Sequence, residues 1–334
     1  MRALILFVLL LPSLVLAQAT QEQLPKLSIC VFDPLGANGP LFNTMKDYRT
    51  VAFEWGADVE PRAYTDEKIA VDDFKAGQCD AALVTGARAR PFNKFAATLG
   101  AIGAIPSEKM LRSLLATISS KKAAKYMREG QYEVAGIMPA GPIYLFTRDR
   151  SIDTVEKLSG KRIATIDYDQ PSIFLVNHIG ASMVPSNSAN FSGKFNNGSV
   201  DVAYAPAVAY KPLELYKGLE ANGGILRFPL AYMDFQIIIR ADKFPAGFGQ
   251  KSRTSVASYF DRVNETVEQA TQEIDPKFWM DLAAETKLEY NEMLRDVRIK
   301  LRDEGIYNGK MLKLMRKLRC KANPAAAECT EKLE

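Results

Sequence analysis

Asp167-Tyr168-Asp169-Gln170 sets two carboxylates and a phenol within four consecutive residues. The segment follows a β-rich run, residues 162–166, and precedes Pro171, where a helical pattern starts. Strand, polar loop, helix start is how a parallel α/β sheet builds a ligand site, because ligands sit outside the carboxyl ends of its strands. Paired acids beside an aromatic ring suit a cationic or polyhydroxy ligand. Two-carboxylate hydrolysis needs the acids to flank a scissile bond, and neighbours on one short loop do not establish that geometry. Asp169 has a competing use as N-cap of the helix that Pro171 opens.

The same rule selects three more loops. Residues 33–39 (DPLGANG) offer Asp33 and Asn38 as hydrogen-bonding groups, and glycines that let a ligand approach the backbone; a tight turn is the alternative. Residues 85–90 (TGARAR) offer Thr85, Arg88 and Arg90: two cations for an anionic group, or two solvated surface arginines. Tyr204 and Tyr210 flank Pro206, where a ring stacks either on a ligand or on the core. Asp234, followed by Phe235 and Gln236, lies on a strand-like run expected to face the same cleft.

Other chemistries find few residues. The chain has one histidine, His178, placed just before Gly180 as a helix end would be. His-dependent catalysis and His-rich metal sites are thereby nearly excluded. Ser119-Ser120-Lys121-Lys122 fits S-x-x-K, but the S-D-N and K-T-G partners are absent. No catalytic residue, metal or cofactor is therefore assigned. A net charge of +4 over 334 residues is too weak to argue for nucleic acid.

The start of the chain carries one arginine, Arg2, an apolar run over residues 3–16, and small residues at Ala17 and Ala19. That is the pattern of a cleaved secretory signal peptide, residues 1–19, and the run is shorter than the roughly 20 residues a spanning helix needs. Four cysteines suit an exported chain. The simplest of their three pairings joins Cys30 to Cys79 and Cys320 to Cys329; a free buried thiol at Cys30 is the alternative.

Strand patterns over residues 27–32, 58–64 and 80–84 alternate with helical ones over 41–55 and from a Thr65 cap to about Lys75. This order implies a parallel sheet with helices on its faces. A mainly helical stretch, 107–127, precedes two strands, 132–138 and 143–147, with Pro139-Ala140-Gly141-Pro142 between them as a crossover or hinge. Residues 162–206 repeat the strand–helix–strand logic, with a polar, glycine-containing stretch at 190–198. Two strand-like runs around Met233-Asp234 read as the return crossover. From Ser252 the chain is helical. Its basic residues, among them Arg295, Arg298, Lys300, Arg302, Arg316 and Arg319, read as the solvated face of amphipathic helices, with docking to an acidic partner or membrane as the alternative.

Three segments carry a family resemblance. Phe74-Lys75-Ala76-Gly77-Gln78-Cys79-Asp80 is similar to a helix end and strand start, residues 153–163 (DTVEKLSGKRI) to a "DLkGlKiR" segment, and Asn196-Asn197-Gly198-Ser199-Val200-Asp201 with Pro206 to "G-x-vDg-x-x-x-P". In this order they resemble the periplasmic solute-binding proteins of tripartite (TRAP-type) transporters, the dicarboxylate-binding class. The resemblance implies an α/β, two-domain, type II-like periplasmic-binding-protein fold with C-terminal helices. Its expected parts are domain I at 24–141 and 226–251, domain II at 142–225, and a helical region at 252–334. It implies a small-molecule ligand, inner-membrane transporter subunits as partners, and a periplasmic location. Such proteins hold a substrate carboxylate with a bidentate arginine fork. Here Ala164 stands at the arginine's place and Ala205 precedes Pro206. Arg162 shares a strand face with Ala164 but lies nearer the strand start. Either Arg88 or Arg90 grips an anion instead, or the cleft takes a different ligand. Some solute-binding-like proteins are linked to efflux and drug resistance, and an envelope accessory role of that kind is the alternative.

Overall fold

The computed structural model describes residues 24–334, so the expected signal peptide lies outside the described residues. Three strands start the chain: β1 (Lys26–Phe32), β2 (Asp58–Tyr64) and β3 (Ala81–Thr85). Their buried runs and the helices Pro40–Glu54 and Glu67–Lys75 between them give parallel pairing in the order β2-β1-β3. This is the first half of the molecule. The second half is built the same way from β6 (Arg162–Ile166), β7 (Ser182–Ser186) and β8 (Val202–Pro206), with β6 parallel to both of the others.

Two long antiparallel strands join the halves. β5 (Tyr132–Thr147) follows the two-residue β4 (Arg128–Glu129), and β10 (Ala231–Arg240) follows the short β9 (Gly224–Leu226). The sheet runs β2-β1-β3-β10-β5-β8-β6-β7, with β11 (Trp279–Met280) pairing β9 at its margin. The two strands expected at 132–138 and 143–147 are thus one. Tyr132 to Ile143 pair with β10, and Ile143 to Thr147 with β8. Pro139 and Pro142 supply no N–H, and the β5–β10 register shifts beside them, between Met233 and Asp234, to absorb the gap. Gly141 takes φ +95, and a Cβ there would lie 2.6 Å from Val267 Cγ1, so the crossing point needs glycine. The return crossover correspondingly breaks at 227–230, while Met233 and Asp234 sit inside β10.

Three local readings are corrected. Asp66, not Thr65, caps Glu67–Lys75: its Oδ1 accepts from Lys68 N at 2.7 Å and Ile69 N at 3.2 Å. The TGARAR loop winds into a helical turn, Gly86–Ala89, capped by Thr85. The polar stretch 190–198 contains the helix Phe191–Asn196, whose Phe195 is buried in the second core cluster.

The C-terminal helices, from Phe248–Ser258 to Ala327–Glu331, pack back on both halves. Not all of their arginines are solvated. Arg298, Arg316 and Arg319 are buried and converge on Glu334. Arg298 Nη2 lies 2.7 Å from Glu334 Oε1, Arg319 Nη2 2.5 Å from Oε2, and Arg316 Nε donates to the Glu334 carbonyl at 3.1 Å. Arg298 and Arg319 also donate to the carbonyls of Ile102 (2.9 Å) and Ala104 (2.8 Å), which fastens the tail to the first half. Lys300, Lys310, Lys313, Lys317 and Lys321 do stay exposed. Both expected disulfides are present, Cys30–Cys79 and Cys320–Cys329. No helix among the described residues is long and apolar enough to cross a membrane.

Candidate ligand-binding cavity

A cavity of about 480 Å³ lies between the halves, roofed by the C-terminal helices. Its apolar wall draws on Leu35 and Leu41 from the first half, Ile163, Ile166 and Leu175 from the second, and Met138, Met233 and Phe235 from the crossing strands. Val263, Val267, Tyr290 and Met293 close it from the C-terminal side.

Of the candidate residues, Asp33, Thr85, Arg90, Tyr168, Asp169, Tyr204 and Asp234 line this cavity. Asn38, Arg88 and Asp167 do not. Asn38 and Asp167 are exposed, and Arg88 lies behind Tyr168, its guanidinium carbon 3.2 Å from the ring centroid. Asp33 is on the wall, but its oxygens are spent. It accepts from Leu35 N (2.9 Å), Leu41 N (2.8 Å) and Phe42 N (3.1 Å), and so anchors the start of Pro40–Glu54. Tyr204 is likewise engaged: its hydroxyl accepts from Ile166 N at 3.0 Å.

Two side-chain bridges span the cavity from half to half. Arg90 Nη1 meets Asp169 Oδ1 at 3.4 Å. Asp169 caps no backbone N–H of the helix Gln170–His178; it takes Arg90 and the Ser172 hydroxyl instead. In the second bridge the Tyr168 hydroxyl donates to Glu67 Oε2. Glu67 also accepts from Thr85 N at 2.7 Å, with Arg88 Nε 3.8 Å away. Burial raises the Glu67 carboxyl, and the Tyr168, Thr85 and Arg88 contacts oppose that rise. Burial first, then the Glu67 charge, pushes the Tyr168 phenol upward, so it stays a donor. Tyr168→Phe strips one donor from a fully buried acid and is expected to cost about 1–3 kcal/mol, readable by urea denaturation. Arg90→Ala leaves Asp169 without its cation and is expected to cost about 1 kcal/mol, since both partners keep some exposure to water.

Glu67 is the wall residue that the loop rule misses. It sits in the first turn of a helix whose buried face is Glu67, Ala70, Val71 and Phe74. That i, i+3, i+4, i+7 spacing puts an acid on an apolar stripe, which was the available signal.

Asp234 differs from the other acids. It is 3% exposed, and one hydrogen bond reaches it, from Gln236 Nε2 to Oδ1 at 2.8 Å. Burial pushes its carboxyl up to about 7, against smaller opposing effects of the Gln236 hydrogen bond and the Arg90 charge. No arginine of β6 reaches the cavity. Arg162 Nη2 pairs with Asp201 at 2.6 Å at the far end of the strand, and Ala164 is packed into the second core cluster.

Paired α/β halves, two crossing strands and a cavity between them define the two-domain architecture of periplasmic solute-binding proteins. Solved structures agree. The chain superposes on a TRAP periplasmic solute-binding protein from Desulfovibrio salexigens, solved with bound orotic acid, at TM-score 0.72 and 14% identity, covering 89% of this chain and 99% of that one. A TRAP periplasmic solute-binding protein from Haemophilus influenzae, with bound L-gulonate, gives TM-score 0.73 at 9% identity over 88% and 99% of the two chains. The chain belongs to the AdeT 1/2 solute-binding protein family, whose model matches residues 51–334. It is 46% identical to the probable solute-binding protein AdeT1 of Acinetobacter baumannii over 299 residues, 90% of this chain and 98% of that relative.

Proposed function

We propose that the protein captures one small solute in the cavity between its halves and presents it to membrane transporter subunits on the periplasmic side of the inner membrane. The cavity carries this reading: it lies at the carboxyl ends of β3 and β6, is mostly apolar, and holds a few fixed polar groups, as small-molecule sites do. Two disulfides and the leader-like residues 1–19 support export. The relatives support uptake-type solute binding over an efflux accessory role.

The structural neighbours were solved with carboxylates bound, orotic acid and L-gulonate. The corresponding grip is not built the same way here, because Arg162 is spent on Asp201 and Arg90 on Asp169. The solute is therefore a small molecule with an apolar body and one polar head. A thermal-shift panel of amines, carboxylates, sugar acids and alcohols tests the reading. At about 100 times Kd a true ligand adds about 2.7 kcal/mol to stability. A panel that leaves the midpoint unmoved throughout counts against it. For location, the full-length chain is expected in the osmotic-shock fraction, shortened by its leader; recovery in the cytosol at full length is the contrary result.

A further inference from the structure

We propose that Asp234 receives the ammonium head of the cavity's solute, so that the ligand is an amine with an apolar body. This deepens, and rests on, the solute-binding reading above.

The charges of the wall show why. Five acidic or basic side chains line the cavity: Asp33, Glu67, Arg90, Asp169 and Asp234. Four have partners within the protein, Arg90 through its Nη1 while its Nε has none. Arg90 pairs with Asp169. Glu67 has Thr85 N, the Tyr168 hydroxyl and Arg88. Asp33 has three backbone N–H groups. Asp234 has only the Gln236 amide on Oδ1, and among the described residues neither a donor nor a cation reaches Oδ2. A buried carboxylate without a partner is expensive, and proteins pair such groups.

The backbone approaches that carboxylate closely. A Cβ on Gly86 would lie 2.8 Å from both Asp234 oxygens, and one on Gly100 would lie 3.9 Å from Oδ2. Gly86 opens the helical turn after β3 without a left-handed φ, so its missing side chain serves close approach, not backbone conformation. Gln236 is a positioning residue. Its N–H fixes the carboxylate from behind, while its own Oε1 is buried with no partner. Among the described residues the protein therefore offers Asp234 Oδ2 no donor of its own. An ammonium supplies three donors and the missing charge. Aliphatic and aromatic walls then take an apolar body.

Ionisation of the receptor follows the same geometry. The charged group facing Asp234 from the neighbouring element is Arg90, itself held by Asp169, and Gln236 is its neighbour on β10. With the carboxyl titrating at about 7, amine binding tightens as pH rises through neutrality.

The test is calorimetric titration of the mature chain at pH 8 with 3-phenylpropylammonium, 3-phenylpropanoate and 3-phenylpropanol, which share one body and differ in the head. The amine is expected to bind at least about tenfold more tightly than the alcohol, about 1.4 kcal/mol. Asp234→Asn is expected to abolish that preference. Gly86→Ala, which keeps the charge but pushes the carboxylate out of place, is expected to weaken the amine selectively, so the proposal does not hang on one variant. A carboxylate that binds tightest, or an amine preference that survives Asp234→Asn, overturns the proposal while the solute-binding reading stands. Failure of all three probes to bind counts against both.

Discussion

Asp234→Asn is expected to stabilise the unliganded protein by about 4 kcal/mol at pH 8. It is also expected to flatten the dependence of stability on pH between about 4 and 7. The sign follows from the direction of the shift. In the unfolded chain Asp234 titrates at its ordinary 3.8, and in the folded chain at about 7. Between those values the folded state binds the extra proton, so stability falls as pH rises, by about 1.36 kcal/mol per pH unit, and levels off above 7. Three such pH units give the figure quoted. Asparagine carries no charge to desolvate. Denaturant melts of both proteins across pH 4–8 measure the effect; parallel curves would show that Asp234 already has a cation in the folded state. A buried acid that costs stability while accepting a single hydrogen bond is a functional-site candidate. This links the prediction to the amine receptor.

Joint replacement of Cys30 and Cys79 by alanine is expected to cost about 4 kcal/mol. The bridge joins β1 to Cys79, two residues before β3, across a sequence separation of 49. Cross-linking a loop of that length removes about 4 kcal/mol of chain entropy from the unfolded state. Both cysteines are buried, so the variant also loses packing. By contrast Cys320–Cys329 closes a separation of only 9 near the end of the chain, and its loss is expected to cost less. Urea midpoints of the two double variants rank the bridges, and an equal or reversed order would contradict this account.

The sequence makes the halves legible because each depends on local patterns. Strands Ala81–Thr85 and Arg162–Ile166 fall where their apolar runs and bounding turns place them. The loops at strand carboxyl ends supply Asp33, Arg90, Tyr168 and Asp169 to the cavity, which is a property of α/β topology and needs no structure to foresee. What escapes is anything fixed by a partner distant in sequence. β5 reads as two strands because Pro139 and Pro142 interrupt it, and only its pairing with β10 and then β8 carries it through. Arg298 reads as a surface charge and Glu67 only as a first-turn acid, yet each sits on the apolar stripe of its helix, beside Phe74 and Ala70 for Glu67 and Leu294 and Leu301 for Arg298. Their partners, Tyr168 and Glu334, lie far along the chain. Arg162, considered as a substitute for the missing arginine, is claimed by Asp201. A charged residue at an apolar-stripe position is therefore the sequence signal most worth following in this chain.

Cavity filling tests the central claim most directly. Met233 is half-buried and lines the cavity from β10. Met233→Trp places an indole in space that the solute would occupy. Calorimetric titration of both proteins with the panel solute giving the largest thermal shift is expected to show one solute bound per wild-type chain. The Met233→Trp chain is expected to show no measurable binding while still unfolding cooperatively. A folded Met233→Trp chain that binds the same solute with unchanged affinity would place the site elsewhere and contradict the account.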